Sequence, residues 1–400
     1  MTSPAPVLLY LPGVTPIESN NAVRVAEVIA SSQSVNLTGT FTVQLHKPDK
    51  GPRGACVVDP GGEVVLRVLE VDYRSTLAEK PGSGKSTDGW ALLRSGRFAL
   101  LGILRLLSAR RRSKTGRHRL FFVLAFVFVL LMICAFLFLA LAAIVAIGQF
   151  DFLACLVPDT SAGKVALGGG IASASGGLLW IRHHALDGSR WVREQVRYLE
   201  REQEAASVAR VLDVAIDGLL EETPPPPAIH ILAYSFGSIV ALDALFSRVP
   251  RPPGVDRNAS AITSLVTVGA PVDFVRQFYP SYFEKRIARR TDLPWTNLFL
   301  PEDILGSNFA DNDDHSGFEA PIESIKPFKI EGVSPNRCIA VGNRRLSLRS
   351  LLSLEGFRVH GDYWDEAHRA NLLEPVIRTW FMPPIATSAA VEPSAPSVEV

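Results

Sequence analysis

Cysteine is scarce in this chain. The 400 residues hold four, Cys56, Cys134, Cys155 and Cys338, widely spaced and with no CxxC pair. That argues against a disulfide framework and against a cysteine-rich zinc site. An excess of one charge is missing as well: 41 Lys and Arg stand against 40 Asp and Glu, a net of +1. The composition therefore carries no electrostatic footprint for nucleic acid, and 47% hydrophobic residues are too many for a disordered tail. The first residues, MTSPAPVLLYLPGV, lack a basic stretch, and their apolar run is too short for a secretory signal. The parts outside a membrane are thus expected in a reducing cytoplasm. No internal repeat is present.

Long apolar runs, by contrast, are there. Residues 120–147 contain no Asp, Glu, Lys, Arg or His over 28 positions. As a helix this stretch is ~42 Å long, enough to span a hydrocarbon core of about 30 Å with tilt. A second candidate span, 165–181, is shorter and holds five glycines. Its small residues recur at helical spacing (Gly168, Ala172, Gly176 and Gly169, Ser173, Gly177), which lets membrane helices approach closely. Arg105, Arg110, Arg111, Arg112, Lys114, Arg117 and Arg119 precede the first span, and Arg182, His183, His184, Arg190 and Arg193 follow the second. Positive charge on both outer flanks predicts a helical hairpin with both ends in the cytoplasm of an inner or plasma membrane. The basic flank is also suited to anionic headgroups.

Around this insertion the chain alternates strands and helices. Strands are predicted within 4–13, 41–46, 63–73, 228–233, 264–268, 297–300 and 338–341. Helices are predicted over 21–31, 189–222, 236–248 and 365–381, and 52–62 is rich in turn residues. Neither side of the insertion has enough strands alone. The pattern predicts an α/β domain with a mostly parallel sheet flanked by helices, interrupted by the transmembrane hairpin. Its expected parts are 1–104, the basic flank and hairpin 105–188, the second half of the domain 189–382, and a disordered Pro/Ala/Ser-rich tail 383–400.

The most informative stretch is AIHILAYSFGSIVALDALF, 228–246. A buried strand leads through a small residue, Ala233, to Ser235 and Gly237 and then into a helix. A serine on a sharp strand-to-helix turn needs small neighbours two residues away, because the chain doubles back there. The rival reading is a serine that merely caps the helix.

These residues resemble the nucleophile elbow of the α/β-hydrolase superfamily, with Ala233 in place of the first glycine of GxSxG. Three further stretches carry the resemblance to its lipases and esterases: LVTVGAPVDF (265–274), WTNLFLPEDILG (295–306) and VHGDYW (359–364). It covers the last 180 or so residues well and the first 75 loosely. The resemblance implies Ser235 as nucleophile, His360 as general base and Asp303 as the acid that orients it, with Asp273 as the alternative acid. It implies an oxyanion hole from the N–H of Phe236 and from the turn after the first strand, at Val14 or Gly13. His315 and His368 compete for the role of base but fit a polar loop and a solvent-facing helix. His230 reads as a structural residue on a buried strand. No metal or organic cofactor is implied. The expected activity is serine-hydrolase cleavage of a lipid or other acyl ester drawn from the bilayer. A catalytically inactive hydrolase-like scaffold is the alternative.

Two stretches imitate other sites. PGSGKST (81–87) is similar to a phosphate-binding loop, but Glu79 stands where that pattern needs its first glycine. DNDDHSG (311–317) starts like a calcium loop, but Ser316 and Ile322 occupy its glycine and glutamate positions.

Overall fold

The computed structural model describes residues 4–13, 21–36, 39–46, 54–77, 195–247 apart from 196 and 201, 337–340 and, with gaps, 256–307 and 359–380. Both predicted spans, the basic flank, the 383–400 tail, PGSGKST and DNDDHSG lie outside the described residues, and the predicted last helix is described only in part. Among the described residues no helix is long and apolar enough to cross a membrane.

The described chain forms an α/β fold around one eight-stranded mixed sheet. Its strands are β1 (Val7–Leu11), β2 (Thr42–His46), β3 (Gly54–Val58), β4 (Val64–Glu70), β5 (Ile229–Tyr234), β7 (Ile262–Val268), β9 (Trp295–Phe299) and β10 (Arg337–Ala340). A separate two-stranded ribbon pairs β6 (Phe246–Ser247) with β8 (Ile287–Ala288). The order across the sheet is β10-β9-β7-β5-β1-β4-β3-β2. The run from β10 to β4 is parallel, and the β2–β3–β4 edge is antiparallel. β1 pairs with β4 on one side and with β5 on the other. The sheet is therefore assembled from both sides of the segment 78–194.

The core-facing strand β1 is buried throughout, and its side chains alternate between the two faces of the sheet. Val7, Leu9 and Leu11 of β1 pack in one core with α3 (Glu202–Leu220) and α4 (Phe236–Leu245). Leu8 and Tyr10 point to the other face, against α1 (Asn21–Asn36) and the late residues Leu373, Val376, Ile377 and Trp380. In α3, Val208, Leu212, Ile216 and Leu219 form the buried stripe while Val214 is exposed. All ten residues of α4 are buried. This helix is buried on every side because the sheet, α3 and the segment around Tyr282 enclose it, and its one charged residue, Asp243, faces polar partners.

Three differences from the sequence reading have physical causes. β3 lies inside the stretch expected to be turns. Of its five residues GACVV only Val57 and Val58 are strong strand formers, and Asp59, Pro60, Gly61 and Gly62 end it in a tight hairpin, so its local signal is that of a turn and its strand is fixed by pairing with β2 and β4. In that turn Asp59 accepts the N–H groups of Gly61 and Glu63, both at 2.9 Å, and Gly62 takes φ 85°. The helix after Ser235 stops at Leu245 rather than Arg248, because Phe246 joins the β6–β8 ribbon. A short helix, α5 (Arg257–Ala261), is capped by the Asp256 side chain, which accepts from the Ala259 N–H.

Ion pairs, one of them buried, tie the helical layer together. Arg286 meets the Asp243 carboxylate at 2.6 Å, and the same carboxylate accepts from Tyr198 (2.7 Å) and Tyr282. Arg289 bridges Asp213 of α3 and Asp256 before α5, each at 2.6 Å.

His230 on β5 is buried and bonded through Nδ1 to Ser264 Oγ at 2.8 Å. Burial pushes its pKa down from 6.5 to about 4. The folded protein thus holds it neutral where the unfolded chain would protonate it. Stability from this group is full above pH 6.5 and falls as the pH drops toward 4, by up to about 3 kcal/mol. His230→Asn is expected to flatten the decline of urea-unfolding stability across that window.

Candidate active site

β5 delivers Ser235 at the carboxyl end of the parallel strands, the edge at which open α/β sheets place their sites. Ser235 has φ 53° and ψ −128° and is the only non-glycine residue with positive φ among the described residues. Such a conformation costs on the order of 1–3 kcal/mol and persists only where its surroundings enforce it. Here the Ser235 N–H donates to the Val268 carbonyl at 2.9 Å, its carbonyl accepts from the Ser238 N–H at 2.9 Å, and the Ser238 hydroxyl donates to the Ala233 carbonyl at 2.8 Å. Gly237 completes the turn. A methyl group there would lie 2.4 Å from the Leu11 carbonyl oxygen and 2.5 Å from that of Pro12. The glycine is what lets the first turn of α4 rest against the end of β1.

The Ser235 side chain does not cap α4. Its Oγ lies 2.7 Å from His360 Nε2, and His360 Nδ1 lies 2.8 Å from Asp303 Oδ2. A carboxylate at Nδ1 places the imidazole proton on that nitrogen and leaves Nε2 to accept the serine hydroxyl proton. Ser235 is partly exposed, whereas Asp303 is completely buried.

A buried carboxylate needs partners on every lone pair it turns inward. Asp303 accepts the Leu305 N–H at 2.8 Å on Oδ1, and on Oδ2 the Tyr363 hydroxyl at 2.7 Å together with His360. Tyr363 also accepts the Leu300 N–H at 2.9 Å, which binds it to the exit of β9. Burial, together with the Asp303 charge, pushes the Tyr363 pKa well above the usual phenol range, so it stays a neutral donor. Two glycines leave room for this group. Gly269, at φ 55°, would bring a methyl within 2.9 Å of the Tyr363 ring, and one on Gly306 would lie 2.6 Å from Asp303 Oδ2.

His360 is held from a second side by Tyr234. The Tyr234 ring lies 5.7 Å from the imidazole at an interplanar angle of 21°, and its hydroxyl donates to the His360 carbonyl. Val359 and His360 form part of a helical turn, rather than an open loop, just before a 3₁₀ turn at Asp362–Trp364.

The structure thus brings Ser235, Asp303 and His360 together. Phe236 is the first residue of α4, where a backbone N–H has no intrahelical acceptor. Gly13, two residues beyond β1, lies so close to the serine that a methyl on it would meet Ser235 Cβ at 3.0 Å. Val14, Asp273, His315 and His368 lie outside the described residues. Among the described residues no group of His, Cys, Asp or Glu is placed to hold a metal ion. Tyr234 and Tyr363 escaped the sequence reading, although both sit inside the quoted stretches AYSFG and VHGDYW. Aromatic residues there read as packing until the fold shows where their hydroxyls reach. Comparison with known proteins adds no relative: no family model, no curated protein and no solved structure matches the chain.

The elbow makes Gly237 a sensitive position. Gly237→Ala is expected to lower stability by about 1–3 kcal/mol through overpacking against backbone. Gly218→Ala, within α3 and with nothing inside 4 Å of the new methyl, should raise it by roughly 0.5–1 kcal/mol. Denaturant midpoints of the two variants check the opposite signs.

Proposed function

We propose that the protein is a membrane-anchored serine hydrolase of α/β-hydrolase type that cleaves a lipid or other acyl ester. One observation carries this reading: a serine held at positive φ on a strand-to-helix turn, hydrogen-bonded to an imidazole whose other nitrogen meets a buried carboxylate. The chain order Ser, Asp, His is that of the superfamily the sequence resembles.

In this mechanism Ser235 Oγ attacks the ester carbonyl carbon while its proton passes to His360 Nε2. The carbonyl oxygen becomes an oxyanion, facing the N–H of Phe236 and a second N–H from the turn after β1, at Gly13 or Val14. Collapse breaks the bond to the alcohol, which leaves with the proton returned by His360. Water then attacks the acyl-Ser235 ester by the same route and releases the acid. Asp303 remains ionised throughout and stabilises the imidazolium. Tyr363, Leu305 and the two glycines hold that carboxylate against the ring.

Anchoring rests on the uncharged stretch 120–147, the Gly-rich stretch 165–181 and their basic flanks, which put the hydrolase domain on the cytoplasmic side. The described ends of the intervening segment support an insertion. Leu77 ends α2 (Arg74–Leu77), and its carbonyl accepts from the Arg197 side chain, so the chain leaves and re-enters the domain at one place. A membrane beside the site makes acyl esters of the bilayer the favoured substrate class.

The test is hydrolysis of p-nitrophenyl butyrate by the full chain in detergent. Ser235→Ala and His360→Ala are expected to lose at least about a thousandfold in kcat, and Asp303→Asn about 10³–10⁴-fold. Undiminished turnover by Ser235→Ala would overturn Ser235 as the nucleophile, and no turnover by folded wild type would leave the inactive scaffold as the better reading.

A further inference from the structure

Two buried tyrosines outside the Ser–His–Asp chain reach the two backbone segments that flank Ser235. Tyr73 follows β4 and is completely buried, and its hydroxyl donates to the Pro12 carbonyl at 2.6 Å. Pro12 and Gly13 share one peptide unit. In a trans peptide the C=O and the N–H point in opposite directions. Fixing the Pro12 carbonyl on Tyr73 therefore turns the Gly13 N–H away from Tyr73, in the turn that packs against Ser235. The Tyr73 backbone is itself held in place, since its N–H donates to the Val71 carbonyl at 3.0 Å and its carbonyl accepts from Thr76 and Leu77 in the last two positions of α2.

Tyr198 acts on the other flank. Its ring meets the Phe236 ring edge-on at 5.2 Å, and its hydroxyl donates to Asp243 at 2.7 Å. It thus touches α4 at its first residue and again about two turns later, where Arg286 and Tyr282 fix the same carboxylate. Tyr73 and Tyr198 belong to one core cluster and stand on either side of the segment 78–194 in sequence. Burial pushes both phenols well above their usual pKa, so both remain donors across the physiological range.

We infer that Tyr73 and Tyr198 are positioning residues for the oxyanion hole, with Tyr73 orienting the Pro12–Gly13 peptide and Tyr198 seating Phe236. The inference rests on the hydrolase reading of the site and assigns Gly13 as the second donor. Neither tyrosine touches the reacting atoms. Loss of either should spare substrate binding and weaken only what develops in the transition state.

The experiment uses the full chain in detergent, with kcat expressed per site titrated by a fluorophosphonate, so that misfolded protein does not count. Butylboronic acid is the probe of the hole, because its adduct with Ser235 Oγ is tetrahedral and negatively charged. Tyr73→Phe is expected to lower kcat for p-nitrophenyl butyrate at least tenfold with KM within twofold, and to raise the butylboronate Ki by the same factor. Tyr198→Leu should repeat this pattern, whereas Tyr198→Phe, which keeps the ring on Phe236, should lose less. If either Tyr73→Phe or Tyr198→Leu gives too few titratable sites, the other carries the comparison. Unchanged kcat and Ki would overturn the inference, and so would a lower kcat with unchanged Ki. If wild type neither hydrolyses the ester nor titrates, the hydrolase reading itself fails. An active wild type with wild-type-like variants sinks only the tyrosine assignment.

Discussion

Everything at this site depends on one strained residue. Ser235 sits at φ 53°, a conformation an L-residue adopts only under constraint, and three neighbours supply that constraint. β7 takes its N–H through Val268, α4 takes its carbonyl through Ser238, and the end of β1 closes on Gly237. The turn is thus a joint between the central parallel strands and the buried helix. Because β1 comes from before residues 78–194 and β5 from after them, the joint forms only once the two halves have shared a sheet. The small residues around it, Ala233 and Gly237, follow from this crowding.

The second constraint is the burial of Asp303. A carboxylate without solvent must be satisfied by donors, and the surrounding sequence supplies them at short range and long. Leu305 donates from two residues along, while Tyr363 and His360 arrive from beyond 350. Gly269 and Gly306 leave the volume these groups occupy. Serine strain and carboxylate burial meet at the imidazole, against which Tyr234 stacks. The proposed chemistry uses each constraint once: the turn exposes the hydroxyl, and the buried charge orients the base.

Much of this was legible in the sequence because it is local. A strand, a small residue, a serine, a glycine and an apolar helix within twenty residues encode the elbow. Asp303 and His360 stand in stretches whose resemblance pointed to them. What was not legible is long-range. Tyr363 and Tyr73 act through hydroxyls whose acceptors lie 60 and 61 residues away. No pattern within the DYW or VDY stretches shows that reach. β3 was hidden by the turn residues that bound it, and the helical turn at His360 by the short spacing between its neighbours. The apolar stretches that motivate the anchor carry a signal of their own in composition, independent of the sheet.

The most direct measurement is peptide mapping after the full chain, in detergent, reacts with a fluorophosphonate. The account predicts a single phosphonyl mass on the peptide that carries Ser235, lost when His360 is replaced by alanine. A folded protein that takes up no phosphonate, or takes it up on another residue with Ser235 unmodified, would contradict it.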